Sequence, residues 1–149
     1  MTASELPVIR IVAAVILNSR GHLLLVRKRD TVTFMQPGGK FEPGETGEQA
    51  LIRELAEELG FELEPNDLEY VGRFSAAAAN EEGHLVDCDV HFTVVESDGI
   101  AAAEIEELIW IDPARMDDVA LAPLTAQVMR PYIMTMSAAI QNRSNIQPP

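Results

Sequence analysis

GKFEPGETGEQALIRELAEELGF, residues 39–61, passes from a glycine- and proline-rich loop into an acidic helix. Thr46 can cap that helix and Gln49, three residues on, can reach back to it. Gly60 supplies the left-handed residue that ends it, and Phe61 closes over the last turn. The spacing predicts a helix from about Gly47 to Leu59. Glu54, Glu57 and Glu58 then share an arc of about 100°, with Ile52, Leu55, Ala56 and Leu59 opposite. Each like-charge pair with Glu54 costs roughly 0.2–0.5 kcal/mol, and no Lys or Arg follows four residues on to offset it. A solvated helix face is one reading, but it predicts compensating lysines. A hard divalent cation is the other: Mg2+ prefers carboxylate oxygens and is commonly completed by substrate phosphates. Glycines at 38 and 39 let the backbone approach a ligand closely, and a carbonyl there is a further hard donor.

Upstream, VIRIVAAVIL (8–17) and LLLVRKR (23–29) read as two strands joined by a turn at Asn18–Gly21. A short segment, TFMQ (33–36), leads to PGGKFEPGE (37–45), whose prolines and glycines predict no regular structure before the helix. Downstream, LEYVGRFSA (68–76), VDCDVHFTVVE (86–96) and LIWI (108–111) read as strands, the middle one alternating as a half-buried sheet does. From Pro123 to Ile140, the spacing of Leu124, Val128, Ile133, Met136 and Ile140 predicts a helix, kinked at Pro131, that covers one sheet face. Residues 1–6 and 142–149 read as frayed tails. The organisation is α/β, one domain over residues 1–149, around a mixed or antiparallel sheet.

Composition narrows the function. At 149 residues with 47% hydrophobic residues, the chain suits one compact core. Its 24 acidic against 11 basic residues give a net charge of −13, which excludes non-specific binding to a DNA or RNA backbone or to an anionic membrane. The single cysteine, Cys88, precludes an internal disulfide and suits a reducing cytosol. MTASELPVIR lacks the basic and apolar regions of a signal peptide, and no apolar run approaches membrane-spanning length, so a cytoplasmic location is expected. A homodimer is compatible with this reading.

From Gly39 to Phe61 the chain resembles the Nudix box: a glycine, five residues, a glutamate, seven residues, then Arg-Glu-aliphatic-x-Glu-Glu-x-Gly-aliphatic or aromatic. Gly39, Glu45, Arg53, Glu54, Leu55, Glu57, Glu58, Gly60 and Phe61 fill every fixed position. The resemblance implies an α/β/α sandwich around a mixed sheet and hydrolysis of a nucleoside diphosphate linked to another group, with Mg2+ or Mn2+ required. It implies Glu54, Glu57 and Glu58 as metal ligands, joined by the Gly38 carbonyl. Glu45 would reach the site through water or by pairing with Arg53, whose planar guanidinium can lock two carboxylates. The general base stays open between Glu54 and Glu57. Gly39 and Lys40, with the cluster Arg27, Lys28 and Arg29, are candidates for binding phosphate, although a solvated strand end explains the cluster equally well. Glu104 in AAAEIEELIW is the favoured carboxylate outside the box, on a loop expected to swing over the phosphates; Glu106, Glu107, Glu81 and Glu82 are its competitors.

His22, His84 and His91 show no metal-ligand spacing. Cys88 lies between two acids that raise a thiol's pKa, so it reads as packing. A small nucleotide is the expected partner, a nucleoside triphosphate or nucleotide sugar in the manner of the MutT-like subgroup, its base stacking on Phe74, Phe92 or Tyr70. The sequence markers of dinucleoside polyphosphate, ADP-ribose and oxidised-guanine subgroups are absent. Two rivals are a nucleotide sensor without catalysis, against which the intact acid set argues, and an isoprenoid diphosphate isomerase, in which Cys88 would have to serve alone.

Overall fold

The computed structural model describes residues 6–146. β1 (Val8–Leu17) and β2 (Leu23–Lys28) form the expected hairpin, meeting at Leu17 and Leu23 across a turn in which the Asn18 side chain accepts from the backbone N–H groups of Arg20 and His22. Then come β3 (Gly38–Lys40), α1 (Gly47–Leu59), β4 (Glu69–Ala77), β5 (Leu85–Val94), β6 (Ile105–Ile111) and, after a π-helical turn at Leu124–Met129, α2 (Arg130–Ile146). The sheet runs β4-β5-β1-β2-β6, with β3 against β1. β1 pairs parallel to β5 and antiparallel to β2 and β3, so the sheet is mixed.

Successive residues of β1 point to opposite layers, as a strand requires. Val12, Ala14 and Ile16 pack with Leu51, Leu55 and Leu59 of α1. Ala13, Val15 and Leu17 pack with Leu124, Met129 and Ile133 of the C-terminal helical segment. The result is an α/β/α sandwich. After the hairpin turn β1 and β2 diverge: Ile11, Val12 and Ala13 take β3 as partner, whereas β2 pairs along its length with β6. Residues 34–36 bridge that fork, with Phe34 joined to Leu121 and Met35 to Val26.

Several expectations need correction. Residues 38–40 are a strand, because only a residue without Cβ can lie this close to β1: a Cβ on Gly38 would collide with the Val12 carbonyl oxygen. The last strand begins at Ile105 rather than Leu108, and Ile105 is core. The loop before it is tied down by Ile100 N–H to Leu59 O (3.0 Å) and Ala102 N–H to Glu58 O (2.9 Å), so Glu104 does not sit on a swinging loop. α2 continues to Ile146, where a tail was expected from Asn142; residues 1–5 and 147–149 lie outside the described residues. The helix meets Pro131 directly after the π turn. The Arg130 Nε donates to Ala126 O at 3.1 Å, the carbonyl that a π register leaves facing the residue without an N–H. No helix among the described residues is long and apolar enough to cross a membrane.

Candidate active site

α1 forms as the sequence dictates. The Thr46 hydroxyl accepts from Gln49 N–H (3.2 Å), the Gln49 side chain accepts from Thr46 N–H (3.0 Å), and Gly60 takes φ 73°. The buried stripe is rotated slightly from the expected one: Ala50, Leu51, Leu55 and Leu59 are buried, Ile52 is half-buried and Ala56 is exposed. This rotation carries Glu58 inward, to 3% exposure.

Arg53 gathers the other acids. Its Nε and one terminal nitrogen donate to both oxygens of Glu45 at 2.8 Å, a bidentate pair, and the second terminal nitrogen donates to Glu54 at 2.9 Å. Glu57 approaches the same guanidinium at 3.5 Å, one helical turn on, and the Lys40 carbonyl accepts from it at 3.1 Å. Arg53 therefore supplies the cation that the spacing of the glutamates seemed to lack. The Arg53 hydrogen bonds, then one from Glu42 N–H, hold the Glu45 carboxyl down at about 2, and Glu45 in turn raises the Arg53 pKa. Gly39 makes room for Glu54: a Cβ there would lie 2.7 Å from both of its carboxylate oxygens.

Of these residues Gly39, Lys40 and Glu54 line a cleft of about 490 Å3 in the fork of the sheet, while Glu45, Arg53, Glu57 and Glu58 are not part of its lining. Gly38, Gly39, Lys40, Lys28, Glu54, Glu81 and Glu104 line it, and Arg27 and Arg29 do not. Arg27 turns to Glu107 (3.2 Å) and to the Thr31 carbonyl (2.8 Å), and Arg29 faces Glu106 at 3.7 Å. Of the three-residue basic run, only Lys28 enters the cleft, since alternate strand residues face opposite ways. Lys28 approaches Glu104 at 3.4 Å, and Lys40 approaches Glu81 at 3.8 Å. Glu82, Glu106 and Glu107 are outside the lining. None of Phe74, Phe92 and Tyr70 lines it either. Phe74 packs edge-on to Tyr132 on the α2 side, Phe92 lies in the same layer, and Tyr70 meets His91. The lining also includes the aliphatic side chains of Ile9, Ile11, Met35 and Leu124, and Gln36 and Thr125, which sequence reasoning missed.

A protein-family model of the NUDIX domain matches residues 7–135. The chain belongs to the Nudix family. It is 29% identical over 132 residues to the CTP pyrophosphohydrolase of Escherichia coli (strain K12), covering 85% of this chain and 93% of that protein. It is 28% identical over 102 residues to the putative 8-oxo-dGTP diphosphatase of Bacillus subtilis (strain 168), 68% of this chain and 65% of that one. The chain thus spans a little under two thirds of the second relative. Among solved structures, that of the E. coli ORF135 protein superposes with a TM-score of 0.64 at 27% identity, covering 96% of this chain and 98% of that one.

The Nudix box can be tested for the divalent cation it implies. Among the described residues no three acidic, histidine or cysteine side chains converge tightly enough to enclose one ion, since Arg53 draws Glu45, Glu54 and Glu57 toward itself. The donor chemistry nonetheless fits. Oε2 of Glu58 is buried without a hydrogen-bond partner, and Glu54 and Glu104 stand close enough to Glu58 to act on it electrostatically. A cation coordinated there would satisfy that oxygen. Burial, followed by the hydrogen bond and charge of Glu54, pushes the Glu58 carboxyl up to about 9 in the metal-free protein. The folded value lies above the unfolded one of 4.5, so its stabilising contribution is complete below about pH 4.5 and is lost as pH rises toward 9. Melting curves in EDTA should show wild type losing stability across that window relative to Glu58→Gln, with Mg2+ restoring it. Parallel pH profiles for the two proteins would rule this out.

Cys88 is fully buried on the α2 side of the sheet, and burial, with Asp89 and Asp87 adding to it, pushes its thiol up to about 12. A neutral, enclosed thiol cannot serve as the cysteine of an isomerase mechanism. Cys88→Ala should retain turnover within about twofold, the small effect expected of a packing residue away from the chemistry, as steady-state kinetics would show.

Proposed function

We propose that this Nudix enzyme is a nucleotide pyrophosphohydrolase, cleaving a phosphoanhydride of a nucleoside triphosphate or nucleotide sugar with Mg2+ or Mn2+. The observation that carries the reading is that Glu54 belongs both to the carboxylate array organised by Arg53 and to the lining of a cleft that also carries Lys28, Lys40 and the aliphatic side chains of Ile9, Ile11, Met35 and Leu124. A nucleotide has the matching division between a charged phosphate chain and a flat base. Glu54, Glu57 and Glu58, with the Gly38 carbonyl, would hold the cation, which when bound neutralises non-bridging oxygens and lowers the pKa of water. Arg53 and Glu45 hold the array in position, and Gly39 leaves the space Glu54 needs. Lys28 and Lys40 offer cations to the phosphates, in place of Arg27 and Arg29. Glu54 and Glu57 are the candidates to accept the water's proton. With a net charge of −13, a small nucleotide suits this cleft better than a polynucleotide backbone.

Measuring phosphate and pyrophosphate release from a panel of nucleoside triphosphates and nucleotide sugars, with Mg2+ or Mn2+, tests the reading. Release from at least one supports it. Binding without release from any would favour the sensor alternative. On the substrate so found, Glu104→Gln should slow turnover by about tenfold or more, the scale of a lost metal-supporting carboxylate. Glu106→Gln and Glu107→Gln, whose side chains pair with Arg29 and Arg27 away from the cleft, should change it little.

A further inference from the structure

Gln36 is 6% exposed and lines the cleft, yet its Nε2 has no hydrogen-bond partner among the described residues. Its Oε1 is engaged, accepting from the hydroxyl of Thr125 at 3.3 Å, and Thr125 is itself 1% exposed. The backbone beneath is fixed on both sides: Met35 exchanges hydrogen bonds with Val26 at 2.9 Å, and Phe34 pairs with Ala120 and Ala122 at 2.8 Å. Thr125 therefore engages the amide from one side and leaves the NH2 group unpartnered. A buried donor without a partner is unfavourable, and native structures retain such groups mainly where a ligand or a special role answers them. The same cleft carries the aliphatic side chains of Ile9, Ile11, Met35 and Leu124, which suit a flat ring with a polar edge better than a second phosphate.

We infer that Gln36 is the base-selecting residue of the cleft, its amide NH2 donating to a carbonyl oxygen or unprotonated ring nitrogen at the edge of the nucleobase, with Thr125 as the residue that positions it. This rests on the nucleotide reading above and deepens it. A site that keeps a buried donor for one partner discriminates strongly against a ring that lacks the acceptor, because the donor then stays unpaired.

The test is calorimetric binding of the four common nucleoside monophosphates, in Mg2+, to wild type, Gln36→Leu, Gln36→Glu and Thr125→Val. Wild type should spread its affinities across the bases. Gln36→Leu should weaken the preferred base by about 10- to 100-fold and the poorest base little, with an unchanged or higher melting temperature because an unpaired buried amide has gone. Gln36→Glu puts an acceptor where the donor was, and should shift preference toward a base presenting an amino group. Thr125→Val should narrow the spread by releasing the amide. If Gln36→Leu does not fold, Gln36→Glu and Thr125→Val carry the same comparison. No binding by wild type, equal binding of all four bases, or an equal loss for all four in the variants would overturn the inference. A wild type that discriminates among monophosphates but cleaves no nucleoside triphosphate and no nucleotide sugar overturns the hydrolase reading and leaves this one standing.

Discussion

Glu57→Gln should lower kcat by at least about a hundredfold, equivalent to roughly 2.7 kcal/mol of lost transition-state stabilisation, with the fold intact. Glu57 is the informative choice among the box acids. Its side chain is 57% exposed, and its ion pair to Arg53, at 3.5 Å, is longer than those of Glu45 and Glu54. An exposed pair of this kind contributes little to stability, so its loss should leave the melting temperature nearly unchanged. Amidation keeps the shape and removes the charge. A large kinetic defect without a stability defect then reports chemistry or metal binding, and raising the Mg2+ concentration separates the two. Unchanged turnover in the folded variant would refute the assignment of the acid array to catalysis.

Gly38→Ala should fail differently, by damaging the fold that presents the array. The added methyl would run into the backbone of β1, with the Val12 carbonyl oxygen in its path and the Ala13 Cα at 2.7 Å, and neither atom can rotate away as a side chain could. Relief requires β3 to separate from β1, breaking the pairing of Ile11 with Lys40 and Val12 with Gly39. We expect a loss of about 3 kcal/mol, the upper range for overpacking, and a fall in melting temperature of about 10 °C for a chain this size. Gly39→Ala provides the contrast. Its obstacle is the movable carboxylate of Glu54, so that variant should lose activity while keeping more of its stability. Equal melting temperatures for wild type and Gly38→Ala would show that β3 has slack the close approach denies.

Much of this could be read from the chain, and the reason differs by element. α1 was legible to the residue because its limits are local chemistry: a capping box at Thr46 and Gln49 and a left-handed Gly60. The box glutamates were legible for the same reason, as positions on one short helix. β3 was not, since glycine has no strand preference of its own and is there because β1 leaves no room for a Cβ. The stacking aromatics were misplaced because sequence alternation says that Phe74 and Phe92 face one way but not toward which layer. Gln36 escaped notice because its significance depends on Thr125, 89 residues away. The basic run at 27–29 was visible, but the strand sorts its members and delivers only Lys28 to the cleft.

The parallel pairing of β1 with β5 also governs how the molecule is made. It runs the whole length of both strands, and it joins segments such as Arg10 and Asp89 that are 79 residues apart. Closing so long a loop before any pairing is gained slows folding relative to a protein built from local contacts. On a ribosome, β1 emerges early with an apolar edge that has no mate until residues 85–94 follow. β2 lies on the opposite side of β1, so the hairpin does not cover the edge that faces β5, which waits open and prone to pair with other chains. The strand that lends Ile9, Ile11, Val12 and Ala13 to the cleft is therefore also a segment of the nascent chain with a long exposure to aggregation.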